Sequence, residues 1–155
     1  MLSKWNRILW AFVAICASAA VSEAKEQEKS GAWEIACEAD SCIMQQDFTS
    51  TAGQTLLRAT ILRKGDKIHA VIATPLGIDL SGGLEVQVDT GAKEQYGFAT
   101  CTVEGCFTTV SLSGLRLAAW KAGLIANFTY RDGRGKPVAA TLSLMGLSAG
   151  LARLR

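Results

Sequence analysis

The sequence predicts an all-β protein: an antiparallel β-sandwich or partly open barrel, with one short helix between strands and a short C-terminal helix. Three observations carry this. Short aliphatic and β-branched segments recur at close intervals, separated by turns rich in Gly, Asp and Ser. Leu84-Glu85-Val86-Gln87-Val88-Asp89 alternates strictly between apolar and polar residues, the pattern of a half-buried strand. Cys37-x₄-Cys42 and Cys101-x₄-Cys106 repeat a spacing that suits two strands joined by a four-residue loop.

Taken in order, Lys25–Ser30 reads as a polar leader. Ala32–Cys37 places Trp33 and Ile35 on one face, and Cys42–Phe48 returns. Thr55–Leu62 and Lys67–Thr74 form a hairpin about the tight turn Lys64-Gly65-Asp66. The alternating segment at Leu84–Asp89 follows, then Gln95–Cys101 paired with Cys106–Leu112. Ser113–Gly123 breaks the pattern as a short helix, with Ser113 to cap it, Gly123 to end it, and Leu117 and Trp120 on one face. Ile125–Tyr130 and Val138–Leu144 pair across the turn-rich Arg131–Lys136. In the tail, Leu147, Leu151 and Leu154 fall on one side of a short helix, and Arg153 and Arg155 suit the negative end of its dipole. So short a basic, apolar segment reads as a helix packed on the sheet rather than one lying on a membrane.

The first 24 residues read as an export signal. Lys4 and Arg7 precede an apolar stretch, Ile8–Ala17, that falls short of the roughly 20 residues a bilayer span needs. Small-x-small patterns then place cleavage after Ala20 or Ala24. The expected organisation is a signal peptide at 1–24, a polar leader at 25–30, and a single β domain at 31–155. Removing Lys4, Arg7 and Glu23 from 16 basic and 14 acidic residues leaves 14 against 13. A formal +1 gives no electrostatic footprint for nucleic acid. No membrane span is expected in the mature chain, which is placed in the periplasm, with the outer surface or secretion as alternatives.

With Cys16 removed in the signal, four cysteines remain for an oxidising compartment. Directly opposed residues of an antiparallel pair sit within disulfide reach. A long-range Cys37–Cys101 link would constrain the unfolded chain more, about 4 against about 2 kcal/mol for a local one. The repeated hairpin spacing nevertheless favours Cys37–Cys42 and Cys101–Cys106. A four-cysteine zinc site is the rival that an oxidising compartment disfavours. No metal or cofactor is expected.

No catalytic centre stands out. Gly146-Leu147-Ser148-Ala149-Gly150 matches the G-x-S-x-G nucleophile elbow, but the elbow needs an acid and a histidine downstream. The only histidine, His69, lies upstream in a strand pattern where an outward position is expected. Asp79 and Asp89 flank a glycine-rich stretch and read as solvated loop or strand-end residues before they read as an acid–base pair. Trp33 and Trp120 fall on core-facing patterns, so packing outweighs ligand stacking. Asn127-Phe128-Thr129 is a glycosylation sequon inside a predicted strand.

Several short elements stand in order along the chain. They are Trp33 ahead of Cys37 and Cys42; Pro75-Leu76-Gly77-Ile78-Asp79-Leu80 followed by Gly82-Gly83-Leu84; Val86-Gln87-Val88-Asp89; Cys101-x₃-Gly105-Cys106; and Leu142-Ser143-Leu144-Met145-Gly146-Leu147. From Gly31 to about Leu151 the chain resembles the invasion-associated locus B family of exported Gram-negative bacterial proteins. Leu147 stands where the family's closing motif has an aromatic residue. The resemblance implies a β-rich exported domain with two disulfides, linked in some members to host-cell invasion. It brings no catalytic residues.

The expected function is therefore a non-enzymatic binding or envelope module with an envelope or host protein as partner. Its candidate binding loop is Pro75, Leu76, Gly77, Ile78, Asp79 and Leu80, apolar residues between a rigid proline and flexible glycines. A loop that simply plugs one end of the sandwich is the plainer reading. The alternative function is a hydrolase-like periplasmic enzyme using Asp79, Asp89 or Ser148.

Overall fold

The computed structural model describes residues 27–154, so the predicted signal segment lies outside the described residues. In chain order the elements are β1 (Gln27–Ser30), β2 (Trp33–Glu38), β3 (Ser41–Thr49), β4 (Thr55–Lys64), β5 (Lys67–Thr74), β6 (Leu84–Val88), β7 (Lys93–Tyr96), β8 (Thr100–Thr102), β9 (Gly105–Leu112), α1 (Gly114–Ala122), β10 (Ile125–Arg131), β11 (Pro137–Ser143) and α2 (Leu147–Leu151). One sheet runs β1-β2-β3-β4-β5-β9-β8 and the other β11-β10-β6-β7. Both are antiparallel, and they are not closed into a barrel.

Period-two alternation decides which side chains enter the core. In β5, Ile68, Ala70 and Ile72 are buried while Lys67, His69 and Val71 turn to the outer face. Trp33, Met44, Leu57, Ile61 and Ile72 from the seven-stranded sheet meet Leu84, Val86, Phe128 and Leu142 from the other in one buried cluster. Burying a side chain of this size contributes about 1.5–3 kcal/mol. Trp120 of α1 packs edge-on against Phe128 with ring centres 6.3 Å apart.

Polar ties hold the two sheets in place. The Gln46 amide donates to the Ser143 carbonyl at 2.9 Å and accepts from the Ser143 N–H at 2.7 Å, so β3 is stitched to the edge strand β11. The Tyr130 hydroxyl donates to the Leu56 carbonyl at 2.9 Å, and burial pushes its pKa up from the ordinary value. Arg63 holds the tail at Leu154, its Nε donating to the Leu154 carbonyl at 3.1 Å.

The predicted tail helix forms, and Leu147, Leu151 and Leu154 are all buried. Its approach is very close. Gly31 and Gly146 have φ of +60° and +87°, and a Cβ on either would collide with the backbone of the other's turn. The Ala32 N–H donates to the Met145 carbonyl at 3.2 Å, and the Ser30 hydroxyl to the Gly146 carbonyl at 2.9 Å.

Four expectations are corrected. The leader is not merely polar chain: Gln27–Ser30 pairs with β2 as an edge strand. Gln95–Cys101 is not one strand. The chain leaves the four-stranded sheet after Tyr96 and joins the seven-stranded sheet at Thr100, held at the crossing by Thr108 Oγ1 donating to the Gly97 carbonyl at 2.7 Å. Ser113 occupies the N-cap position without a side-chain cap bond, and Gly123 ends α1 in extended backbone. Glycine is required there by close packing, since a Cβ would press on the Val88 side chain. Arg153 lies beyond α2 and pairs with Glu28 at 2.6 Å instead of serving the helix dipole.

Gly146→Ala is expected to lower stability by more than about 3 kcal/mol, because it combines a strained φ with a backbone collision. Ser148→Ala should change it by less than about 0.5 kcal/mol. Urea unfolding of the two variants checks this contrast; equal stabilities would show that the close approach is dispensable.

Candidate functional site

The Pro75–Gly83 segment carries the chain from β5 to β6, and so from one sheet to the other. Backbone bonds fix it against the β10–β11 turn. Ile78 bridges Asp132, the Asp79 N–H donates to the Arg131 carbonyl at 2.9 Å, and the Gly133 N–H donates to the Gly77 carbonyl at 2.7 Å. Asp79 accepts from the Ser81 hydroxyl at 2.6 Å and its N–H at 3.0 Å, which holds its carboxyl below the usual carboxylate range. Asp132 is lowered chiefly by the Lys136 N–H, with which it closes the neighbouring turn.

The side chains of the loop divide between core and solvent. Ile78 packs on the core as a plug, whereas Leu76 and Leu80 are 55% and 52% exposed. Across from Leu76 stands the tip of the β8–β9 hairpin, where Val103 is 94% exposed. Between Pro75–Leu76 and Val103–Glu104 lies a cleft of about 370 Å³ completed by Thr55, Leu57 and Arg58 of β4. Arg58 is held by Asp47 through two hydrogen bonds of 2.7 and 2.6 Å, which raise its pKa further. The sequence singled out one wall of this cleft. The other, Val103, carries no motif of its own.

The cysteine sulfurs sit at bonding distance in both hairpins. Cys37 and Cys42 are directly opposed on β2 and β3 with S–S 2.10 Å, and Cys101 and Cys106 on β8 and β9 with S–S 2.06 Å. They lie at opposite ends of the seven-stranded sheet. The second pair ties down the hairpin that presents Val103. β8 is only three residues long, so few ladder bonds would otherwise hold it.

The remaining candidates are not brought together. Ser148 is exposed on α2, its hydroxyl donating to the Lys121 carbonyl at 3.3 Å. His69 lies on β5 between Leu62 and Ser111. Asp79 and Asp89 lie at opposite ends of β6, and Asp89 accepts from the N–H groups of Leu124 and Ile125 at 3.0–3.2 Å. Asn127 is partly buried within β10 and accepts from Thr141.

One polar cluster was not legible in the sequence. Glu94 and Tyr96 of β7 face inward at the open side of the sandwich, where Arg116 of α1 reaches them. Arg116 Nε donates to Glu94 Oε2 at 2.6 Å, and its guanidinium lies 5.8 Å from the centre of the Tyr96 ring. The Tyr96 hydroxyl donates to the same carboxylate oxygen. The hydrogen bond from Tyr96, then Arg116, lowers the Glu94 pKa. Burial, then Glu94, pushes the Tyr96 phenol up to about 12. The partners are 22 residues apart, and only the alternation at Glu94 and Tyr96 hinted that both share a face.

This two-sheet sandwich is the fold of an invasion-associated protein. The profile described as "Invasion associated locus B (IalB) protein" matches residues 20–155, and the chain belongs to that family. It is 32% identical over 136 residues to an invasion protein B homolog of Brucella abortus (strain 2308), covering 83% of this chain and 79% of that one. The homolog of Brucella abortus biovar 1 (strain 9-941) matches equally. The crystal structure of invasion associated protein B from Bartonella henselae has the same fold, with a TM-score of 0.75 at 24% identity, covering 83% of this chain and 94% of that one. Among the described residues, no helix is long and apolar enough to cross a membrane.

The ion cluster makes stability depend on pH at both extremes. Because folding lowers the Glu94 pKa below 4.5, its contribution is complete above that value and disappears as pH falls through the folded pKa. Because folding raises the Tyr96 pKa from 10.0 to about 12, its contribution is complete below pH 10 and disappears as pH rises towards 12. Thermal unfolding across pH should show Glu94→Gln flattening the acid limb and Tyr96→Phe the alkaline limb; unchanged limbs would show that the cluster does not contribute.

Proposed function

We propose that the protein is an exported, non-enzymatic binding module of the bacterial envelope that contributes to invasion or surface interaction. Its working face is the cleft between Pro75–Leu80 and the Val103 hairpin tip. The observation that carries this reading is the exposure of Leu76 and Val103 on facing walls of one cleft. Exposed apolar side chains on fixed loops are already placed for a partner, so little ordering entropy is lost on contact. Backbone bonds to the β10–β11 turn fix the first wall, and the Cys101–Cys106 pair fixes the second. The family name and the names of the relatives support a role in invasion.

Export follows in the same proposal. The signal segment is removed after Ala20 or Ala24, the remaining chain folds as one domain in the periplasm or beyond it, and both cysteine pairs are oxidised there. N-terminal sequencing of exported protein should begin at Val21 or Lys25.

Photo-crosslinking from position 103 in intact cells checks the working face. A defined adduct is expected, and Leu76→Ser should reduce it about tenfold or more, the loss of a central apolar contact. Ser148→Ala and His69→Ala should leave it unchanged. A folded Leu76→Ser protein with full adduct yield would remove this cleft from the function.

A further inference from the structure

A second cleft, of about 230 Å³, lies at the open side of the sandwich between α1 and the β6–β7 edge. Val86, Val88, Ala119 and Trp120 give it an apolar wall, and Glu94, Tyr96 and Arg116 a polar one. The ion pair there is only half used. Arg58 and Asp47 engage through two parallel hydrogen bonds, but Arg116 meets Glu94 through Nε alone and turns Nη1 to the Ser111 carbonyl at 2.9 Å. Glu94 Oε1 and Arg116 Nη2 make no hydrogen bond among the described residues, and both side chains are about a third exposed to solvent. One ion pair therefore offers a spare acceptor and a spare donor beside an apolar surface.

We propose that this cleft binds a small neutral molecule with a flat apolar body and a primary amide. The body lies against Trp120 and Val86, the amide N–H donates to Glu94 Oε1, and its carbonyl accepts from Arg116 Nη2. The cleft has room for on the order of ten non-hydrogen atoms. Charge sets the selectivity. A carboxylate of the same shape gains Arg116 but meets Glu94, and an ammonium gains Glu94 but meets Arg116. Either must also surrender its hydration for one favourable contact and one repulsive contact. The amide alone satisfies both spare groups. This site is independent of the Leu76–Val103 cleft.

Benzamide, benzoate and benzylammonium serve as probes of matched shape, read by the indole N–H resonances of the purified exported protein. Benzamide should shift the Trp120 signal saturably and leave that of core Trp33 in place, with a dissociation constant on the order of 1 mM. The two charged probes should bind about tenfold more weakly. Glu94→Gln should move the preference towards benzoate, and Arg116→Gln towards benzylammonium. Ala119→Phe, which fills the cleft, should abolish the shift. If either glutamine variant fails to fold, the wild-type ranking and Ala119→Phe still decide. No saturable benzamide shift, equal binding of all three probes, or full binding by Ala119→Phe would overturn the proposal.

Discussion

The passage of Gly31 past Gly146 is the constraint on which the rest of the packing depends. The first hairpin turn and the entrance to the last helix cross with no room for a side chain on either. That contact sets the depth at which Leu147, Leu151 and Leu154 enter the core. It also aligns Gly150 against Met44, where a Cβ would force the thioether aside. The glycines of the G-x-S-x-G match thus have a sufficient structural explanation. They bring α2 against β1 and β2, while the serine between them faces away from the core.

Closure of the sandwich determines what is left for function. The inner faces are filled by large side chains, and the β11 edge is capped by Gln46 where it meets β3. The open edge at β7 is protected differently, by inward-facing Glu94 and its partner Arg116. A charged group pointing inward at an edge discourages pairing with another strand, and here it also lines a cleft. Two of the three connections that switch sheets, Pro75–Gly83 and Gly97–Ala99, are fixed by bonds to neighbouring elements. Rigid scaffold and exposed apolar tips therefore coexist at the end where the two sheets exchange chain.

Local chemistry was legible in the sequence and long-range partnership was not. The x₄ spacing placed each cysteine directly opposite its neighbour, and Lys64-Gly65-Asp66 marked the β4–β5 hairpin, because both are decided within a few residues. Alternation marked the buried face of β6 correctly. Period two gives the face of a strand but not its sheet, so Gln95–Cys101 read as one strand although the chain changes sheet within it. β1 was missed because its residues are polar and its order comes from pairing with β2. The candidate loop was found through Pro75 and its glycines. Its opposite wall at Val103, and the Glu94–Arg116 cluster, depend on contacts between elements that no local pattern encodes.

The central claim is that a preformed end of the sandwich engages a partner while the rest of the fold remains unchanged. Hydrogen–deuterium exchange of the exported protein, free and bound to the surface that retains it, tests this most directly. New protection is expected at residues 75–80 and 102–105 and at the cleft floor formed by residues 55–58, with β3 and the rest of β4 and β5 unaltered. Protection centred on the outer face of the seven-stranded sheet, with none at those two loops, would contradict it.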